Sequence, residues 1–233
     1  MTVWQKISGI ATAVGDAGGS ALNELAGVLG LGREGAAPEK SIVFTIAVIA
    51  LSAKMARSDG VVSPLEIEAF RRVFHFSPEE AGNVERVFNL AMQDVAGYEA
   101  YADQIAALLE DDRKLLQHVL EGLMHVATAD GGLHPKEDAY LKAVSDRFGF
   151  SDSEFRFFRA RFVKDCDNPY DVLRLDPKAT NEEIKAQYRQ LVLNNHPDRL
   201  MASGVPAEFI DLATRKLAAI NAAYETIAKE RGL

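Results

Sequence analysis

The sequence has little of several features that mark particular classes of protein. Its one cysteine, Cys166, excludes an internal disulfide and every zinc site made of several cysteines, and is typical of a reducing compartment. The strongest apolar run, residues 42–53, has twelve residues, whereas a membrane-spanning helix needs about twenty. A basic surplus is also absent, because the formal net charge is -8. We therefore predict a buried helix at the apolar run and no nucleic-acid partner.

The remaining composition suits one large or two small domains. Of the 233 residues, 48% are hydrophobic and 26% are charged, as in ordinary soluble globular proteins. Residues 1–31 place apolar side chains at steps of three and four among several glycines. This pattern predicts an amphipathic segment that packs on the protein or makes a peripheral membrane contact. Residues 32–40 form a predicted linker. We expect a cytoplasmic protein, associated with the inner face of the membrane if residues 1–31 make that contact.

An internal helical repeat fills residues 41–163. When Asp59 is aligned with Asp130, an offset of 71 residues, both stretches contain an Asp-Gly turn, a following proline and a glutamate two positions after it. Proline is well placed at the first position of a helix, where its missing N–H costs nothing. The matched pairs are Ala56/Ala127, Asp59/Asp130, Gly60/Gly131, Pro64/Pro135, Glu66/Glu137 and Phe70/Leu141. The pattern predicts two related halves of one all-α domain.

Four acidic residues of the repeat are candidates for binding a divalent cation: Asp59, Glu66, Asp130 and Glu137. Calcium takes about six to eight oxygen ligands, and neither copy has the alternating acidic loop of an EF-hand. Aspartate is also a common turn residue, and glutamate at this position caps a helix. We therefore favour a structural role for these residues and predict no cofactor.

The paired-helix repeat resembles the TerB domain of tellurite-resistance and related bacterial proteins. The resemblance covers roughly residues 41–163 and depends on the two Asp-Gly turns with their following proline and glutamate. It implies an all-helical domain with proposed metal binding or protein contacts, and no established catalysis.

The C-terminal part, residues 168–233, has the pattern of a helical hairpin. A short helix is predicted around residues 170–175, and a second helix begins at the capping box formed by Thr180 and Glu183. One face of that helix carries Ile184, Tyr188, Leu191 and Asn195. The stripe predicted for the next helix is Phe209, Leu212, Ala213, Leu217, Ile220, Tyr224 and Ile227. Two antiparallel helices should therefore pack against each other.

The junction of these helices carries the tripeptide His196-Pro197-Asp198. Proline disfavours helical geometry at the residue before it, which places His196 at a helix end and Asp198 in a predicted loop. A simple helix end would more often use glycine or asparagine. Lys185 and Arg189, four residues apart, are predicted on the exposed face of the preceding helix.

Residues 168–230 resemble the J domain of DnaJ-type co-chaperones. The motifs "PYDVLRL", "HPDR" and "INAAYETI" occur in order and at familiar spacing. The TerB-like repeat followed by this unit is similar to the DjlA type of co-chaperone. The resemblance implies that a DnaK-type chaperone docks on the second helix and the His-Pro-Asp motif, and that its ATP hydrolysis is thereby promoted. The residues carried over are Lys185, Arg189, His196, Pro197, Asp198 and Arg199.

Two other functions compete with this interpretation. An enzyme using His196 as a base and Asp198 to orient it is disfavoured, because the sequence has no nucleophile elbow, glycine-rich phosphate loop or zinc motif near them. Histidines 75, 118, 125 and 134 are scattered and are interpreted as surface, capping or packing residues. The second alternative is a stress-linked TerB-type scaffold or metal-binding protein with an accessory J domain. We predict a co-chaperone whose TerB-like domain contacts a client that the sequence does not identify.

Overall fold

The computed structural model describes residues 40–57, 85, 88–89, 91–92, 97–129, 132–163 and 168–233. The first group of helices is α1 (Lys40–Arg57), α2 (Tyr98–Leu108), α3 (Arg113–Ala127), α4 (Pro135–Arg147) and α5 (Asp152–Arg159). The second is α6 (Pro169–Leu173), α7 (Asn181–Asn194), α8 (Pro197–Ala202), a 3-10 turn (Ala207–Phe209) and α9 (Ile210–Arg231). All regular elements among these residues are helical, so the all-α prediction is confirmed. The predicted segment 1–31 lies outside them, and Lys40, assigned to the linker, begins α1.

Local sequence signals set the start of several helices. Thr180 and Ser151 each accept the backbone N–H three residues ahead, while Glu183 and Glu154 accept the backbone N–H of those capping residues. The capping box predicted at Thr180 is therefore confirmed, and Ser151 begins α5 in the same way. The N-cap Asp112 accepts the backbone N–H of Leu115 at 3.0 Å. Side-chain caps of this kind satisfy backbone donors that have no partner inside the helix.

The predicted buried helix at residues 42–53 is confirmed as part of α1. Its side chains are buried on nearly every side, and α1 packs against α2 and α3. The hydroxyl of Tyr140 in α4 donates a 2.7 Å hydrogen bond to the carbonyl oxygen of Leu51, which ties α4 to this central helix. Within the described ranges, no helix has the length and apolar character needed to cross a membrane.

The C-terminal helices form the predicted antiparallel hairpin. The guanidinium of Arg231, at the end of α9, donates to the carbonyl oxygen of Ala179, just before α7 begins. The rings of Tyr188 and Tyr224 stack at 4.0 Å between centroids and join the middle of the two helices. In the predicted stripe on α9, Leu217 and Tyr224 are only partly buried, whereas Lys216, which was not included, is completely buried.

The two groups of helices pack directly on each other. The rings of Phe44 in α1 and Phe209 before α9 meet edge to face, 4.8 Å apart, and both are buried. Gly204, with φ of 103°, lies so close to Lys40 that an added Cβ would stand 2.6 Å from the Cβ of Lys40. Only glycine suits both that backbone conformation and that distance. The contact continues along α3, which packs against α9.

Candidate functional site

The His-Pro-Asp tripeptide begins a short helix and is not a loop. His196 is the N-cap of α8, Pro197 occupies its first position, and Asp198 lies in the first turn. The Nδ1 atom of His196 accepts the backbone N–H of Asp198 at 3.3 Å. The prediction that Asp198 lies in a loop is therefore wrong. Proline has a fixed φ that suits the first position of a helix, so the residue that ends α7 also opens α8.

Both polar side chains of the tripeptide point into solvent. The side chain of His196 is 56% exposed and that of Asp198 is 80% exposed, with His196 Nδ1 3.6 Å from a carboxylate oxygen of Asp198. The backbone N–H at the start of α8 is capped by the imidazole of His196, so the carboxylate of Asp198 is not needed as a cap. It can therefore accept hydrogen bonds from a partner. His196 and Asp198 thus form a small polar surface held in place by the start of α8.

The basic residues predicted for this site lie on the exposed face of α7. Lys185 and Arg189 are exposed, and Leu193, one turn further towards His196, is 55% exposed. Within the described part of the chain, neither Lys185 nor Arg189 is held in an ion pair. Arg199 is exposed on α8 and donates to the side-chain oxygen of Asn194 at 3.1 Å. The structure therefore places the basic face and the tripeptide at neighbouring positions along one helix and its continuation.

Among the residues that the structure describes, the groove beside the tripeptide is too small to enclose a substrate. A groove lined by Pro197, Met201, Pro206 and Ile210, among others, has a cavity volume of about 10 Å³. A volume of this size holds about one water molecule. A larger groove of about 680 Å³ lies along the first half of α7, and neither His196 nor Asp198 lines it. The geometry suits recognition of a protein surface.

The candidate metal ligands are mostly outside the described residues. Asp59, Glu66 and Asp130 fall there, and only Glu137 can be placed. Its carboxylate accepts the backbone N–H of His134 at 3.0 Å, which is a helix-capping contact. Among the residues that the structure describes, no group of three or more His, Cys, Asp or Glu side chains is arranged to hold a metal ion.

A buried charged cluster between the two groups of helices was not predicted. Glu121 of α3 is completely buried and accepts hydrogen bonds from Arg161 at 3.1 Å and from Lys216 of α9 at 2.5 Å. His118, interpreted from the sequence as a surface or packing histidine, is buried beside it, with Nδ1 3.3 Å from Glu121. The spacing of Leu212, Lys216 and Ile220 could have indicated that Lys216 is buried, because steps of four place the three residues on one helix face.

The neighbours of Glu121 determine its charge state. Burial raises the pKa of its carboxyl, but Lys216, His118 and Arg161 together outweigh burial and hold that pKa well below its ordinary value. Burial lowers the pKa of Lys216 to about 8, although Glu121 acts to raise it. The carboxylate of Glu121 therefore faces two basic side chains, those of Arg161 and Lys216.

Comparison with known sequences identifies both parts of the chain. A family described as "Tellurite resistance protein TerB" matches residues 45–160, and the "DnaJ domain" family matches residues 168–231. The protein named "Co-chaperone protein DjlA" of Coxiella burnetii is 32% identical over 200 residues, which cover 77% of this chain and 74% of that protein. The chain belongs to the DjlA family.

Other DjlA relatives match over most of their length. The protein of the same name from Photobacterium profundum is 27% identical over 221 residues, covering 83% of this DjlA-family chain and 80% of the relative. That from Vibrio vulnificus is 26% identical over 239 residues, covering 87% and 83%. No solved structure matches the chain. The resemblance to DjlA-type proteins, with a TerB domain followed by a J domain, is confirmed.

Proposed function

We propose that this DjlA-family protein is a co-chaperone that docks on a DnaK-type chaperone and stimulates its ATP hydrolysis. The observation that carries the proposal is the exposed pair His196 and Asp198, fixed at the start of α8 beside the basic face of α7. The names of the relatives, which describe co-chaperones, support the same role.

Docking uses polar groups that are already in position. Asp198 offers carboxylate oxygens that suit the fork of an arginine, and Lys185 and Arg189 attract an acidic surface. Pro197 fixes the turn between α7 and α8, and Arg199 is held by Asn194. The chain performs no catalysis in this proposal. It binds one state of the chaperone better than the other, which is how a ligand shifts a two-state equilibrium.

The residues outside the J domain determine where the chaperone is recruited. We assign residues 41–163 to a TerB-like domain that contacts a client or target protein, and residues 168–233 to the J domain. We also assign the protein to the cytoplasm, because its one cysteine suits a reducing compartment. A peripheral membrane contact through residues 1–31 is retained as part of the proposal.

The test is the ATPase rate of a purified DnaK-type chaperone with the full chain and its His196→Gln variant. We expect the variant to stimulate the ATPase at least about tenfold less than the unmodified protein does. A tenfold difference is equivalent to about 1.4 kcal/mol of coupling free energy. His134→Gln is a matched control, because His134 is also an exposed N-cap followed by a proline at the first helical position. The control should stimulate like the unmodified protein.

The outcomes separate the competing functions. If the unmodified protein does not stimulate ATP hydrolysis, the co-chaperone proposal is wrong and the stress-linked TerB-type scaffold or metal-binding protein takes its place. If His196→Gln loses helical circular dichroism together with activity, the histidine is structural. If both variants stimulate fully, docking uses another surface of the J domain.

A further inference from the structure

The contact between the J domain and the TerB-like domain has an apolar and a charged part. The apolar part is the edge-to-face pair of Phe44 and Phe209, together with the close approach of Gly204 to Lys40. Apolar contacts have little directional preference, because their strength follows the area removed from water. They bring the two domains together but allow some rotation between them.

The charged part is directional, and it centres on Glu121. One carboxylate oxygen accepts from Gln117 at 3.1 Å and from Arg161 at 3.1 Å. The other lies 3.3 Å from Nδ1 of His118 and accepts from Nζ of Lys216 at 2.5 Å. Only Lys216 belongs to the J domain. The TerB-like domain therefore holds the carboxylate in place from three directions, and Lys216 completes its hydrogen bonds.

A second basic residue of α9 also contacts the TerB-like domain. The guanidinium of Arg215 donates to the carbonyl oxygen of Phe162 at 3.1 Å and lies 3.5 Å from the carbonyl oxygen of Thr128. Arg215 is partly buried, whereas Lys216 is completely buried. The two neighbouring side chains reach different parts of the same surface, so a rotation of α9 would break both sets of hydrogen bonds.

The burial of the ion pair between Glu121 and Lys216 indicates that its role is to orient the two domains relative to each other. The desolvation of buried charges offsets much of their attraction, so a well-packed apolar pair would give similar stability. A buried charge without its partner is much less favourable, because its interactions with water are not replaced. Any arrangement of the domains that separates Lys216 from Glu121 without admitting water is therefore disfavoured, and one orientation is selected.

We propose that Glu121 and Lys216 form an interdomain latch that holds the J domain in one orientation on the TerB-like domain. In this orientation the face of α9 that carries Lys216 is covered, while the basic face of α7 and the tripeptide at the start of α8 stay exposed. The chaperone-docking face, which rests on the proposed function, is thus available without opening the latch. A protein bound to the TerB-like domain is then presented at a constant distance from that face.

The test measures the distance between two spin labels in the full chain. The labels are attached at Asp111→Cys and Glu182→Cys, which are exposed positions on the two domains, with Cys166→Ser to remove the third thiol. Lys216→Met removes the cation of the latch and keeps a long apolar side chain. Lys229→Met is the matched control, because Lys229 is an exposed lysine on the same helix.

We expect a single narrow distance distribution for the labelled protein that keeps both lysines and for its Lys229→Met variant. The Lys216→Met variant should give a clearly broader distribution. Equal widths for all three would overturn the latch, since the apolar contacts would then suffice. If Lys216→Met fails to fold by circular dichroism, Lys216→Gln, which keeps a donor without the charge, must broaden the distribution instead. Unlabelled Lys216→Met should still stimulate the chaperone ATPase. Lack of stimulation by the unmodified protein would refute the proposed function and leave the distance result standing.

Discussion

At the scale of single residues, this protein uses one dipeptide in two settings. His134-Pro135 begins α4 and His196-Pro197 begins α8, with the histidine as N-cap and proline at the first position in both. The next residue differs, since Lys136 follows in the first case and Asp198 in the second. The helix start therefore comes from the shared pair, while the capacity to accept a donor from a partner comes from the aspartate. The same comparison makes His134 a suitable control.

The buried charges lead to a prediction for a single carboxylate. Glu121→Gln should lower the free energy of unfolding by about 3–5 kcal/mol, because it leaves Lys216 and Arg161 as buried cations without a carboxylate. Urea unfolding at neutral pH measures the change. Glu110→Gln, at an exposed glutamate of the same domain, should change stability by less than about 0.5 kcal/mol. Similar midpoints for both variants would show that the cluster contributes no more than a surface residue.

Acid stability should depend on two carboxylates whose pKa values are depressed in the folded state. The pKa of Glu121 lies well below 4.5 for the reasons given above. The backbone N–H of Ser151, with the guanidinium of Arg113, lowers the pKa of Glu154 to about 2. The unfolded chain binds these protons first, so both contributions are complete above pH 4.5 and are lost as the pH falls towards 2.

The measurement for this second prediction is the urea midpoint at a series of pH values from 7 downwards. Glu154→Gln should be less stable than the unmodified protein at neutral pH and should lose less stability on acidification, since it carries no proton-linked contribution at this position. Parallel curves for the two proteins would contradict the assignment of a depressed pKa to Glu154.

At the scale of helices, the exposed face of α7 supports a prediction about association. Lys185 and Arg189 lie one turn apart and exposed, among neutral amide side chains. Peripheral charges act mainly on the rate of encounter and are screened by salt. Replacing both with glutamine should therefore slow association with the chaperone by about tenfold at low salt and by less at high salt.

The control for α7 removes two positive charges elsewhere. Lys114→Gln with Lys229→Gln changes the net charge equally, and both lysines are exposed on helices other than α7. The measurement is ATPase stimulation and association rate against ionic strength, and His196→Gln should stay inactive at every salt concentration. A double variant of Lys185 and Arg189 that associates as fast as its control at low salt would show that this face is not used.

Helix boundaries were predictable where the signal is local. Thr180 with Glu183, and Ser151 with Glu154, identify helix starts because the capping contacts span only three residues. The short helix α8 was missed because Pro197 was interpreted as the end of α7, although proline also suits the first position of a new helix. Lys185 and Arg189 were placed correctly, since periodicity alone determines their side of the helix.

At the scale of the whole molecule, the pairing of charges between the two domains could not be predicted from the sequence. Lys216 pairs with Glu121 across 95 residues of sequence, and no periodic pattern records which charge lies opposite it. Leu217 was preferred for the buried stripe because leucine is apolar, but the surface facing α9 offers a carboxylate to Lys216. A long-range ion pair thus overrode the apolar pattern at that position.

The apolar contact between Phe44 and Phe209 predicts that the two domains unfold together. Phe209→Ala removes the ring that packs on Phe44, and a truncation of this kind in a core costs about 3–5 kcal/mol. Unfolding of each helix is followed by hydrogen exchange at increasing urea concentration. In the unmodified protein, α4 and α7 should unfold at the same urea midpoint. Because the contact joins the domains, Phe209→Ala should lower both midpoints equally. Met201→Ala, at an exposed apolar side chain nearby, should leave both midpoints unchanged. Separate midpoints for α4 and α7 in the unmodified protein would mean that each domain is stable alone, and that Phe44 and Phe209 contribute little to holding them together.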